Sequence, residues 1–298
     1  KGRTNGIWNR EKTFLIFPEL HELKSSSLIY QRYYNYCKDI NPKWKKAEDF
    51  TKMDYALQKI NTKIEDITAI EWVNDVQRKY GYGLPEKISI SNDFCELLGL
   101  WLAEGSCNGQ SICFTINQKE EHLRNRILQL MWNVFQLDNF QINNRKDTLG
   151  QDISFASKQL VYFFSQLFEV DSITEINQWN KYIPNKLKYI SPKAQLQIFK
   201  GWFLGDGYAR TARNGERQSA EAKGTTVSKR LADDMCFILR RNYINPTIIS
   251  EQRKNRARIY NVQLYSKKAD RLYDLKYLFI GYQFEFDFKL EDRTEMDM

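Results

Sequence analysis

Two stretches of the chain carry one pattern of apolar and small positions. Glu96-Leu97-Leu98-Gly99-Leu100-Trp101-Leu102-Ala103-Glu104-Gly105 and Ile198-Phe199-Lys200-Gly201-Trp202-Phe203-Leu204-Gly205-Asp206-Gly207 each place one small residue four positions after another, and each closes on a carboxylate followed by glycine. Positions i and i+4 share a helix face, so the spacing predicts two helices, each with a smooth stripe on which a second backbone can lie. Gly105 and Gly207 are expected to end these helices in the left-handed conformation that glycine reaches without a Cβ penalty. Glu104 and Asp206 then stand at the two C-termini. If the stripes pack on each other, the carboxylates meet at helix ends whose dipoles disfavour negative charge by about 0.3–1 kcal/mol each. Stability alone does not select that arrangement, whereas a divalent cation reverses its sign.

Behind each run the period changes from 3.6 to 2. In Ser111–Asn117, Ile112, Phe114 and Ile116 point one way and Ser111, Cys113, Thr115 and Asn117 the other, which predicts a strand with an apolar core face and a polar outer face. A helix is expected from Glu120 to Phe135, then a hairpin from Phe140 to Ala156 turning near Asp147–Gly150, then a helix capped by Ser157. The second run opens the same series: a strand around Thr225–Val227, a helix from Lys229 to Asn242, a hairpin from Thr247 to Leu264, and a helix after Ser266. Landmarks align at a nearly constant offset, Gly105 with Gly207 (207 − 105 = 102), Thr115 with Thr226 (226 − 115 = 111) and Ser157 with Ser266 (266 − 157 = 109). The change places one insertion near Thr211–Ser219, and residues 91–298 read as an internal duplication.

Residues 1–90 read differently. Thr13–Phe17 predicts a short strand ending at Pro18. The stretch Tyr30–Tyr36 interleaves tyrosine with arginine, which suits either stacking on bases or a half-buried strand. Ile64, Ile67, Ile70, Val73 and Val76 recur at helical spacing and predict a helix over Ile64–Arg78. Gly81–Pro85 then breaks the chain, with a strand or lead-in at Lys87–Ser91.

Composition narrows the function classes. The 298 residues are 42% hydrophobic and 14% aromatic, those of a globular protein. A formal charge of +8 favours a polyanionic partner, modestly, because 37 acidic residues accompany 45 basic ones. Five cysteines without a C-x-x-C pair, and two histidines, argue against zinc sites and predict reduced thiols in an intracellular compartment. No apolar stretch reaches membrane-spanning length. A chain that starts at Lys1 is expected to be a processed or excised piece.

The duplicated apolar helix ending in a carboxylate and glycine, each with a polar-faced strand and a basic hairpin behind it, resembles the LAGLIDADG homing endonucleases in their single-chain, two-repeat form. Lys181-Tyr182-Ile183-Pro184, 25 residues before Asp206 (206 − 181), resembles the K-x-I-P segment of intein-associated and intein-derived members. Trp44-Lys45-Lys46-Ala47, followed by Asp54-Tyr55, resembles a segment of intein splicing (Hint) domains, with Phe50 and Met53 where that pattern has leucine and glycine. The resemblance implies an α+β fold of tandem αββαββα repeats with DNA-binding saddle sheets, over residues 91–190 and 191–298. A smaller, β-rich Hint-like or accessory region would occupy residues 1–90.

It further implies a monomeric, Mg²⁺-dependent enzyme, with Mn²⁺ as a substitute, that hydrolyses both strands of duplex DNA at a long site. Catalysis would fall to Glu104, Asp206 and Lys181, with metal held by Glu104, Asp206, Gly105 and Gly207. The DNA-facing residues would be Ser111, Thr115, Asn117, Gln141, Asn143, Arg145 and Lys146 in one half and Thr226, Arg253, Arg256 and Arg258 in the other. A catalytically inactive DNA-binding regulator or an RNA intron maturase is the alternative.

Overall fold

The computed structural model describes residues 64–65, 67–73, 83–146, 148–214, 217–242, 244, 246–252, 254 and 256–266, with side chains left out at 210–220, 265 and 266. These residues belong to the larger of two compact units, Lys63–Phe286. In chain order they form β1 (Ala69–Glu71), β2 (Lys87–Ser89), α1 (Asn92–Glu104), β3 (Gly105–Cys107), β4 (Ser111–Asn117), α2 (Glu121–Phe135), β5 (Gln141–Asn144), β6 (Gly150–Ala156) and α3 (Lys158–Phe168). Then follow α4 (Pro192–Asp206), β7 (Gly207–Asn214), β8 (Arg217–Thr226), α5 (Lys229–Arg241), β9 (Thr247–Gln252) and β10 (Arg258–Ser266). The fold is mixed α/β, and every strand pair among the described residues is antiparallel.

The series helix, two strands, helix, two strands occurs twice, and the two four-stranded sheets share one order, β3-β4-β6-β5 and β7-β8-β10-β9. Serine side chains start four of the five α-helices among the described residues. Ser91 Oγ accepts from Phe94 N at 3.1 Å, and Ser191 Oγ accepts from Ala194 N at 3.2 Å with Pro192 in the first turn. Ser157 and Ser228 do the same for α3 and α5. On β4 the alternation holds, with Ile112, Phe114 and Ile116 buried against the aromatic core of Phe135, Phe155, Phe163 and Phe164. The β7–β8 hairpin is longer than its counterpart, with 8 residues in β7 against 3 in β3, because the insertion extends both strands beyond the sheet's common register.

Two expectations fail. The stretch expected to be a helix over Ile64–Arg78 contains β1, paired with β2 through Ile70 opposite Ile88. Ile70 and Trp72 are buried, while Ile64 and Val73 are 58% and 61% exposed. Isoleucine and valine fit either period, and the partner that makes the segment extended lies beyond Gly83. Neither motif helix ends in a left-handed residue. Gly105 (φ −81°, ψ 150°) and Gly207 (φ −104°, ψ 155°) are extended, and each helix runs straight into a strand. Glycine stands there for space: a Cβ would lie 2.3 Å from Trp101 O at Gly105, and 2.3 Å from Phe203 O at Gly207. The Hint-like segment, the Tyr30–Tyr36 stretch and the helix expected after Ser266 lie outside the described residues.

Candidate functional site

The site is built by the packing of α1 on α4. Their small residues meet backbone to backbone: a Cβ on Gly99 would lie 2.1 Å from Ile198 O, and one on Gly201 would lie 2.0 Å from Glu96 O. No side chain fits between the helices at this crossing, so the two C-termini are held together. One turn further on, a Cβ on Gly205 would lie 2.6 Å from the Ala103 Cβ and 3.0 Å from Glu104 Oε1. The Glu104 carboxylate therefore lies against the end of α4, next to Asp206.

Both acids show the electrostatic consequence. Burial, the facing Asp206 charge and Glu120 push Glu104 up to about 7, against the pull of Lys181. Burial raises Asp206 to about 6, while Lys181 and the Trp202 indole favour its charged form. Lys181, nearly buried, goes the other way, to about 8, because desolvation outweighs the attraction of the two acids. Two partly desolvated carboxylates facing each other at negative helix ends are each short of positive charge.

Lys181 answers part of that deficit from a fixed position. Its Nζ donates to the carbonyls of Trp101 (3.1 Å), Ala103 (3.1 Å) and Gly105 (2.8 Å), so the ammonium caps the C-terminus of α1. The segment carrying it is pinned by α5. Ser228 Oγ donates to Lys181 O at 2.7 Å, and Ile183 N donates to Asp234 Oδ2 at 2.9 Å. Tyr182 Oη donates to Phe168 O, with Arg230 over the Tyr182 ring at 3.5 Å. The Gly105 carbonyl is thus engaged by Lys181.

A second charged cluster was not singled out in the sequence. Glu96 is buried between the motif helices and accepts from Lys200 Nζ (2.9 Å) on α4 and from Arg126 Nε (3.0 Å) and Nη2 (2.9 Å) on α2. Burial alone would raise its pKa, but these two cations hold it below the usual value. Lys200 lies in the motif run and is the signal that a pairing was needed, but its partner is 104 residues away. The cluster fixes the helix pair upstream of the acids.

The sheets carry the remaining expected residues. On the outer face of the first, Asn117, Gln141, Asn143, Arg145 and Lys146 are exposed and Thr115 is half-buried. Ser111 is buried instead, its Oγ held by Asn108 Oδ1 at 2.9 Å under the β3–β4 turn. Thr226 is buried as well, its Oγ1 accepting from Ser228 N at 3.1 Å. Gly105 pairs with Phe114 and Gly207 with Gly224, an offset of 110 (224 − 114) for the second strand. The equivalent of Thr115 is therefore Thr225, which is half-buried and donates to Asn261 Oδ1 at 2.8 Å. Aligning on Thr226 slipped by one residue, and on a strand that reverses the face. Arg256 and Arg258 are exposed, and Arg253 lies outside the described residues.

Among the described residues no three His, Cys, Asp or Glu side chains form a metal-binding group. The donor set is the carboxylate pair. It suits a hard cation that completes its shell with water and phosphate oxygens, as Mg²⁺ commonly does.

No family model matches the chain. It is 31% identical over 167 residues to Uncharacterized protein MJ0043 of Methanocaldococcus jannaschii, a stretch that is 55% of this chain and 21% of that protein. It is 29% identical over 167 residues to Uncharacterized protein MJ1054 of the same organism, 52% of this chain and 17% of that protein. The chain spans about a fifth of the length of the curated relatives it matches.

Among solved structures, a variant of the homing endonuclease I-DmoI, in complex with nicked target DNA and in the presence of manganese, gives a TM-score of 0.43 at 16% identity, covering 63% of this chain and 96% of that one. The N-terminal LAGLIDADG domain of DUF199/WhiA gives 0.40 at 17%, covering 67% and 88%. The LAGLIDADG homing endonuclease I-GzeII with its DNA target gives 0.39 at 12%, covering 66% and 85%.

Proposed function

We propose that the chain is a site-specific endonuclease of the LAGLIDADG homing type, acting on double-stranded DNA as a monomer. The observation that carries this reading is the backbone-on-backbone packing of α1 and α4, which brings Glu104 and Asp206 together where burial disfavours the charge of both. In this reading residues 91–190 and 191–298 are the two halves, residues 1–90 are an intein-derived or accessory region, and the outer sheet faces meet the major groove.

Glu104 and Asp206 would hold the divalent metal, Mg²⁺ or Mn²⁺, with the Gly207 carbonyl beside them. When bound it supplies an activated water and stabilises charge on the scissile phosphate. The chain's own residues do the rest. The glycine stripes hold the acids at fixed separation, Lys181 holds the end of α1 and places positive charge beside both carboxylates, and the sheets orient the duplex. Keeping Glu104 and Asp206 ionised is the requirement for holding a cation, so cleavage should increase as pH rises from about 6 through 7.

The test is cleavage of a randomised duplex library by the full chain with Mg²⁺, with the broken ends sequenced. Enriched ends sharing one site would support the reading. Intact DNA, with one sequence nevertheless bound selectively, would replace it by a binding regulator.

A further inference from the structure

On the exposed face of the first sheet, one arginine is fixed at three points. The Arg145 stem lies across Gly150, where a Cβ would stand 3.0 Å from its Cδ and 3.6 Å from its Nε. Its head is braced by Asp152, with Nε donating to Oδ2 at 2.9 Å and Nη2 to Oδ1 at 2.7 Å. Thr115 closes the arrangement: its Oγ1 donates to Asp152 Oδ1 at 2.7 Å and accepts from Arg145 Nη2 at 3.2 Å. Thr115, Asp152 and Asn143 are directly opposite one another on β4, β6 and β5, so the brace is built on strand register. The Asp152 carboxyl is held below the usual range, first by Arg145, and the Arg145 side chain remains 51% exposed.

We infer that Arg145, braced by Asp152 and Thr115, is a base-reading residue that selects a guanine at one fixed position of the DNA target. The inference rests on the endonuclease reading above. The choice of base over phosphate follows from Asp152. A carboxylate beside the arginine cancels most of the charge that a phosphate contact would use, and it faces a polyanion. What it provides is direction: with Nε and one edge of Nη2 occupied, the guanidinium plane is set and the Nη1 side is left to reach outward. A planar, oriented fork suits the O6 and N7 acceptors of guanine in the major groove, and arginine on guanine is the commonest specific contact there. The fork also matches a phosphate, so the discrimination comes from the adjoining carboxylate, which a phosphate would have to approach and a base edge would not.

The experiment is selection from a random duplex library, in metal-free buffer so that binding alone is read, with the 298-residue chain as wild type and as Arg145→Ala, Arg145→Lys and Asp152→Ala. Thermal melting checks that each variant is folded. Wild type is expected to enrich sites sharing a guanine, whose replacement weakens binding about 10- to 100-fold. Arg145→Ala and Arg145→Lys should lose that preference at that one position. Asp152→Ala should weaken the same preference while its affinity for unselected duplex stays equal or rises, because a negative charge has left the face. Uniform weakening by Arg145→Ala across all sequences, with the salt slope reduced by about one, would mark a phosphate contact and overturn the inference. Full guanine preference in Asp152→Ala would also overturn it. A wild type that enriches no sequence would instead remove the underlying reading, and the inference with it.

Discussion

Glu104 is the residue on which the site's electrostatics are most easily measured. Its folded pKa of about 7 stands above the ordinary value of 4.5, so the folded chain holds that proton more tightly than the unfolded one. The resulting stability is fully present below about 4.5 and is lost as pH rises through about 7. Asp206, raised from 3.8 to about 6, adds a loss of the same sign over a lower window. Metal-free chemical denaturation should therefore show stability falling between about pH 4 and 7, by on the order of 3 kcal/mol for each acid. Glu104→Gln should flatten the upper part of that fall, and Mg²⁺ should restore stability at about pH 7.5. A flat profile without metal would mean that the two acids are not buried at the helix ends.

At the scale of elements, the helix crossing separates stability from chemistry. Gly201→Ala would place a Cβ 2.0 Å from a backbone carbonyl, so α1 and α4 must move apart, at a cost of about 1–3 kcal/mol or more in urea melts. Gly205→Ala meets the Ala103 methyl and the far end of the Glu104 side chain. The side chain can yield, so the stability loss should be smaller while Glu104 is displaced and cleavage falls at least tenfold with DNA binding retained. Equal effects of the two substitutions on stability and cleavage would argue that the crossing is not the positioning device.

The same crossing marks how far the sequence was legible. Small residues at i and i+4 predicted close helix packing, and strict alternation predicted β4, because both signals lie within a few consecutive residues. What was missed depends on distant partners. The segment around Ile70 is a strand only because Lys87–Ser89 pairs with it. Glu96 is explained only by Arg126 and Lys200, and Thr225 was displaced by Thr226 through one residue of register. Lys181 was singled out by the resemblance of its K-x-I-P segment, but the three backbone carbonyls that it caps were not foreseeable from the sequence.

For the whole molecule, a charge of +8, two sheets of one topology and a pair of acids at the ends of the packed helices are the features on which the proposed duplex-cutting role rests. No helix among the described residues is long and apolar enough to cross a membrane. The decisive experiment is Mg²⁺-dependent cutting of a plasmid carrying the selected site by wild type, Glu104→Gln and Asp206→Asn, with duplex binding measured in parallel. Linear product is expected from wild type, with a loss of at least a hundredfold in double-strand cutting for each variant and binding within a few-fold of wild type for both. Cutting at the wild-type rate by either variant would contradict a site built on the two acids.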